Sequence, residues 1–232
     1  MIRPLFIVLS FGLAITLYLN YTKAQAKDPW TKKREIETPQ RIGAIASMPN
    51  RVTNWPPTLG KPFPSVSFID HQGKRFDISG LKGKPTLIEM IAMTCAGCQA
   101  FAGGNKYGGY EGFAVQADLR SIEEYYQRYT GGRDLHSNEI NFVQIVVYNL
   151  NLKAPREFEL AGWRKHFRLD DKPNAYVVTG GEALANRASY RMIPGFILLD
   201  KHTVVRFDST GHHPRHKLYT QLLPAVPSYL SE

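Results

Sequence analysis

Two cysteines are the residues whose type and spacing point most clearly to chemistry. Cys95 and Cys98 are the only cysteines in the chain, and two residues separate them. A disulfide-stapled mini-domain needs more cysteines, and a structural zinc site usually needs four Cys or His ligands at compatible spacing. We therefore interpret the CxxC as a dithiol that cycles with its disulfide. The alternative is a pair of inert buried thiols.

The segment before the cysteines predicts the element that positions them. Thr86 to Ala92 is a mostly apolar run of strand length that ends just before the CxxC, and this favours a buried central strand. Glu89 interrupts the run six positions before Cys95. A buried carboxylate is costly and its pKa rises, so Glu89 is a candidate functional residue. The alternative is a structural carboxylate that pairs with a surface lysine or lies at a sheet edge.

The rest of the chain alternates strand and helix patterns around one sheet. A helix is expected over 115–129 from its apolar spacing, and Pro155 and Pro214 are placed to open two later helices. Strand patterns occur at 65–69, 74–76, 142–148, 175–179, 196–199 and 203–207. The sequence therefore predicts an α/β fold, with a central mixed sheet flanked by helices.

A glycine-rich insertion follows the CxxC. The segment from Gly103 to Gly112 holds five glycines, and no helix or strand is expected to persist there. One interpretation is a mobile lid that contacts substrate through Tyr107, Tyr110 and Phe113. The other is a surface insertion without such a role.

The charge of the chain excludes one class of function. The 29 Lys and Arg exceed the 20 Asp and Glu, which gives a formal charge of +9. The basic residues are scattered along the chain, whereas a nucleic-acid binder concentrates them on one face or helix. We expect a solvated basic surface and no nucleic-acid partner. Attraction to anionic lipid or to acidic partners stays open.

The N-terminus has the pattern of an export signal. Arg3 precedes an apolar run from Leu5 to Leu19, and Ala24-Gln25-Ala26 supplies small residues for a cleavage site. The alternative is an uncleaved anchor in the inner membrane. Either way, the rest of the chain lies in the periplasm or another extracytoplasmic space. We predict a leader over 1–26, an extended Pro-rich arm over 27–58 and a redox domain over 59–232.

Several motifs together identify a family resemblance. LGKPFP from Leu59, LKGKP from Leu81, the strand into the CxxC, and Ile193-Pro194 before a late strand resemble the extracytoplasmic thioredoxin-like (redoxin, TlpA-type) family. The match extends to about Leu223. The resemblance implies a thioredoxin fold and an exported thiol–disulfide oxidoreductase without cofactor or metal. Its partners would be protein thiols or disulfides and an upstream redox protein.

The resemblance also implies roles for individual residues. Cys95, at the end of a strand and the start of a helix, is expected to be the nucleophile because that position stabilises a thiolate. Cys98, one turn further on, is expected to resolve the mixed disulfide. Glu89 matches a buried acid that helps to take the resolving thiol's proton.

Further residues are implied on the substrate side of the motif. Pro194 matches a cis-proline that faces the CxxC, and the alternative is an ordinary trans proline at a strand start. Ile193 and Thr94 are expected to contact the substrate. Thr94 stands where the family usually has Trp, and Ala96-Gly97 replaces a more common dipeptide. Periplasmic relatives mostly reduce thiols of apo-cytochrome or copper sites, so reduction is favoured over oxidation.

Other classes of function fit the sequence less well. A Sco-like copper metallochaperone uses CxxxC and a distant His, whereas this chain has CxxC and Met192-Ile193-Pro194 before the late strand. A peroxiredoxin-type peroxidase needs Pro and Thr or Ser before its cysteine, and neither cysteine has them. A redox-inert binding domain on the same fold is the third alternative. The candidate copper ligands are His212, His213 and His216.

Overall fold

The computed structural model of the protein describes residues 52–230. The predicted leader, 1–26, and all but the last residues of the predicted arm, 27–58, lie outside the described residues. Over 52–230, none of the helices has the length and apolar character needed to cross a membrane.

Seven strands form one mixed sheet, in the order β2-β1-β5-β4-β3-β6-β7. The parallel pairs are β3 with β4 and β4 with β5, and the other neighbours are antiparallel. The strands are β1 Phe68–Asp70, β2 Arg75–Phe76, β3 Thr86–Ala92, β4 Asn141–Tyr148, β5 Ala175–Thr179, β6 Gly195–Leu199 and β7 Val205–Thr210.

Helices flank this sheet and supply its parallel crossovers. The connection from β3 to β4 contains the first three helices, and the connection from β4 to β5 contains the fourth. The α-helices are α1 Ala96–Phe101, α2 Gly104–Tyr107, α3 Ile122–Tyr129, α4 Glu157–His166, α5 Arg187–Tyr190 and α6 Leu223–Leu230. Short 3-10 turns cover Ile78–Leu81, Tyr110–Gly112 and Gly181–Ala183, and a π-helical turn, Leu218–Leu222, leads into α6.

The predicted fold class is confirmed. Strands β4-β3-β6-β7, with α1 following β3 and α6 following β7, form the thioredoxin arrangement, and β5 and the β1–β2 hairpin extend it on the β4 side. Every residue of β3 and β4 is buried, as expected for parallel strands covered on both faces. The sequence predicted β3 and β5 with their observed bounds.

The helix predicted over 115–129 is shorter in the structure. Helix α3 covers only Ile122–Tyr129, because Ser121 caps it by accepting a hydrogen bond from the Glu124 N–H at 3.2 Å. The Asn105 side chain donates to the carbonyl oxygen of Leu119 at 2.6 Å, which holds the preceding residues outside the helix. The apolar spacing therefore continues across a cap that ends the helical backbone.

Trp55 joins the last residues of the predicted arm to the core. Its ring is buried, and its Nε1 donates to the Ser189 hydroxyl at 2.9 Å. Phe63 contacts the ring edge-on, with 6.0 Å between ring centroids. Burial of an indole with its N–H satisfied is a strong local anchor.

Candidate redox site

The two cysteines lie where β3 passes into α1. Cys95 is the N-cap of α1, with an extended backbone, and Cys98 lies in the first turn. The Cys98 N–H donates to Cys95 Sγ at 3.1 Å. Both thiols are free, and Cys95 is half-buried whereas Cys98 is fully buried. One sulfur is therefore accessible to a partner and the other is held behind it.

The surroundings of the two sulfurs move their pKa values in opposite directions. The pKa of Cys95 is lowered, chiefly by a hydrogen bond from the Cys98 thiol and also by the backbone N–H groups of Cys98 and Gly97, against the opposing effect of burial. The pKa of Cys98 is raised well above its ordinary value, first by burial, then by its hydrogen bond to Cys95, and then by the Cys95 and Glu89 charges. The pair thus has one thiol built to ionise and one built to keep its proton.

Glu89 lies in the middle of β3, completely buried. Its register neighbours are Gln144 on β4 and Phe196 on β6. Its pKa is raised to about 8, chiefly by burial; a hydrogen bond from Gln144 lowers the pKa and the Cys95 charge makes a smaller upward contribution. Neither alternative, pairing with a surface lysine or a place at a sheet edge, describes this buried position on a central strand. Glu89 is therefore a titratable group whose charge interacts with both thiols.

Pro194 closes the site from the side of β6. The Ile193–Pro194 peptide bond is cis. A Cβ built on Gly97 would lie 3.7 Å from Pro194 Cγ, so the proline ring packs against the CxxC turn. Ile193 is buried and Thr94 is half-buried, so of these two Thr94 has the more accessible side chain. The substrate contacts assigned to both residues remain predictions.

Gln99 is a site residue that sequence reasoning passed over. Its side chain is fully buried in α1, its Nε2 donates to the Met93 carbonyl at 2.6 Å, and its Oε1 accepts from the Tyr110 N–H at 2.8 Å. It thereby joins the loop before Cys95 to the glycine-rich insertion. A polar residue one turn after Cys95, among small and apolar neighbours, was the available signal.

The glycine-rich insertion is folded, which corrects the expectation of a segment without helix. It contains α2 and the 3-10 turn at Tyr110–Gly112. The Tyr110 ring is buried and packs edge-on against Trp163, with centroids 5.7 Å apart. A Cβ on Gly109 would overlap the carbonyl oxygen of Phe113, and one on Gly162 would overlap the Tyr110 hydroxyl. These glycines permit close packing, so Tyr110 belongs to the core and not to a substrate lid.

The candidate copper ligands do not form a cluster. His212 and His213 are exposed, whereas His216 Nδ1 accepts a hydrogen bond from the Asp208 N–H at 3.1 Å. The His216 ring also packs on Phe207, with centroids 4.8 Å apart. Among residues 52–230 there is no group of three or more His, Cys, Asp or Glu side chains that could hold a metal ion.

The described chain has a thioredoxin-like fold with a CxxC dithiol at the start of α1. No protein-family model matches the chain, and neither does any curated protein. Solved structures match it at low sequence identity. An uncharacterized thioredoxin-like protein from Porphyromonas gingivalis is 16% identical, with 75% of this chain and 95% of that chain covered and a TM-score of 0.44.

Two further solved structures belong to different functional groups. A secreted disulfide oxidoreductase of Mycobacterium tuberculosis is 12% identical, with 72% of this chain and 95% of that chain covered and a TM-score of 0.41. BsSco, of the Sco family of cytochrome c oxidase assembly proteins, is 14% identical, with 76% and 95% covered and a TM-score of 0.43. Similarities at this level carry no argument about activity, which has to come from the site.

Proposed function

We propose that this protein is a thiol–disulfide oxidoreductase that reduces disulfides of partner proteins through Cys95 and Cys98. The observation that carries the proposal is the asymmetry of the pair. Cys95 is half-exposed and its pKa is lowered, whereas Cys98 is buried and its pKa is raised. A nucleophile and a resolving thiol need this division of properties.

In the proposed cycle the Cys95 thiolate attacks one sulfur of a partner's disulfide. A bond forms to Cys95 Sγ, the partner's S–S bond breaks, and the released partner thiolate takes a proton. The Cys98 thiol then gives its proton to the Glu89 carboxylate and attacks Cys95 Sγ. The partner's second thiolate leaves and takes a proton, and a Cys95–Cys98 disulfide remains. Two electrons have then passed to the partner, and an upstream dithiol protein restores the pair.

More of Glu89 is in the carboxylate form, which can accept a proton, at the step that needs an acceptor. The negative charge on Cys95 contributes to the raised pKa of Glu89. Formation of the mixed disulfide removes that charge, so the Glu89 pKa falls and more of the carboxyl is ionised. This change coincides with the moment at which Cys98 must lose its proton.

The direction and the place of the reaction rest on the sequence. The resemblance to periplasmic relatives favours reduction, and the pattern of the leader favours a location outside the cytoplasm, with or without a membrane anchor. The domain limits of 1–26, 27–58 and 59–232 belong to the same proposal.

A pair of single substitutions tests the oxidoreductase function. Cys98→Ser should accumulate mixed disulfides with partner proteins through Cys95, because the intramolecular exit is removed, and Cys95→Ser is the matched control that should trap few. Dithiothreitol should release the trapped species, and mass spectrometry of them identifies the partner.

A negative result in two assays would overturn the proposal. If neither variant forms a disulfide-linked species and the wild-type protein does not exchange with a model disulfide, the CxxC is not a redox centre. Titration of the reduced protein with Cu(I) would then test the Sco-like alternative.

A further inference from the structure

The orientation of the Gln144 side chain is fixed by its other neighbour. The Trp163 Nε1–H lies 3.0 Å from Gln144 Oε1, and Gln144 Nε2 lies 2.9 Å from Glu89 Oε2. An indole N–H can only donate, so the amide must turn its oxygen towards Trp163 and its NH2 towards Glu89. All three side chains are buried. The two hydrogen bonds are therefore donated in one direction, from Trp163 to Gln144 and from Gln144 to Glu89.

The two carboxyl oxygens of Glu89 differ in their hydrogen bonding. Oε2 accepts the Gln144 hydrogen bond, which stabilises negative charge on Oε2 and makes it the less basic of the two oxygens. Oε1 is buried and has no hydrogen-bond partner among residues 52–230. A buried carboxylate oxygen that carries charge without a hydrogen bond is costly, and protonation at Oε1 removes that charge. Cys95 and Cys98 are the titratable groups of the described chain that interact electrostatically with Glu89.

The glycine-rich insertion after the CxxC packs against Trp163, the first donor of these two hydrogen bonds. The Tyr110 ring packs edge-on against Trp163, and the Tyr110 backbone N–H is held by Gln99. Phe167 also packs edge-on against the indole, with centroids 4.6 Å apart. Two aromatic rings therefore pack against the buried indole and help to hold its N–H towards Gln144.

We propose that Trp163 and Gln144 are positioning residues that fix Oε1 as the oxygen through which Glu89 gains and loses its proton. This inference deepens the proposed function, since it assigns how the proton acceptor of the resolving step is oriented. Neither residue touches the sulfurs in the proposed cycle. Both act through Glu89.

The test measures the titration of Glu89 in a Cys95→Ser/Cys98→Ser background, where no thiol titrates. The carboxyl signal of Glu89 is followed by infrared or 13C NMR spectroscopy against pH. Trp163→Phe keeps a ring and removes the N–H, and Gln144→Leu removes the donor to Glu89. Each should raise the Glu89 pKa. Gln144→Leu should raise it by about one to two pH units because a hydrogen bond to the charged form is lost, and Trp163→Phe should raise it by less because the Gln144 amide is no longer held towards Glu89.

Tyr148→Phe is the matched control. It also removes a buried aromatic hydrogen bond, from Tyr148 Oη to the Asn186 carbonyl at 2.9 Å, on the same strand as Gln144 and without contact to Glu89. It should leave the titration unchanged. An unchanged Glu89 titration in folded Trp163→Phe and Gln144→Leu proteins overturns the positioning role, and so does an equal shift in all three variants.

The spectroscopic readout separates this inference from the proposed function. Exchange with a model disulfide is measured with both cysteines present, and the titration is measured without them. Loss of exchange in the wild-type protein overturns the oxidoreductase function and leaves the titration result standing. A normal rate of exchange with an unshifted titration overturns only the positioning role.

Discussion

Replacing Glu89 by Gln should change the pH dependence of stability in a calculable way. The Glu89 pKa is about 8 in the folded protein, against 4.5 for an ordinary Glu, which we take for the unfolded chain. The folded state therefore binds more protons between these values, so the wild-type protein loses stability as pH rises through this window. The slope is about 1.4 kcal/mol per pH unit, or roughly 3–4 kcal/mol from about pH 5 to about pH 8.

Glu89→Gln removes this proton linkage and keeps a side chain of similar shape. Urea unfolding followed by circular dichroism at several pH values gives the free energy of unfolding of both proteins. The comparison is made in the Cys95→Ser/Cys98→Ser background, which removes the thiols as a source of pH dependence. The stability of the mutant relative to its parent should rise steadily as pH increases above about 5. The total gain should lie somewhat below the roughly 3–4 kcal/mol given above, because the Cys95 charge that adds to the raised Glu89 pKa is absent in this background. A difference between the two proteins that stays constant with pH would show that the Glu89 pKa is not raised and would refute the reasoning.

Two further predictions follow from the geometry of the thiols and of the insertion. Pulsed alkylation of the reduced protein should label Cys95 before Cys98 and at a pH below the ordinary range of a thiol, and earlier labelling of Cys98 would reverse the assignment. Gly109→Ala should destabilise the protein by about 2 kcal/mol or more because its Cβ meets backbone. Gly80→Ala, which meets nothing, is the control and should stay within about 1 kcal/mol in urea unfolding. Equal effects of the two glycine substitutions would show that the insertion is loosely packed.

The sheet could be predicted because its strands carry strong local patterns. The run from Thr86 to Ala92 is apolar on both faces and is broken only by Glu89, so its burial and its position in the sheet follow from composition. The helix predicted over 115–129 is longer than the observed one, because the spacing of apolar residues gives no information about the N-cap at Ser121. The composition of the insertion from Gly103 to Gly112 predicts no regular structure. Composition alone does not distinguish a glycine that makes the backbone flexible from a glycine that permits close packing of two segments.

Local patterns alone predict the candidate site only where neighbours in sequence are neighbours in space, and the position of Pro194 opposite the CxxC came from the family resemblance. Cys95 and Cys98 lie in one helical turn, and Glu89 lies on the strand that leads to them. The pairing of Glu89 with Gln144 depends on the register between β3 and β4, and the approach of Trp163 depends on how α4 packs. These relations are set by tertiary packing, and a single sequence carries no local signal of them.

The residues of the candidate site fall into two groups by their position in the sequence. The Cys95 sulfur, the N–H group that bonds to it, and Gln99 with both of its partners all lie within residues 93–110. Gln144, Trp163 and Pro194 come from later elements, each of which closes a long loop back to the motif. A segment of this kind moved to another scaffold would carry the proposed nucleophile, Cys95, and the contacts that lower its pKa. It would leave behind the proposed proton acceptor, Glu89, and its neighbour Gln144, which lie on β3 and β4.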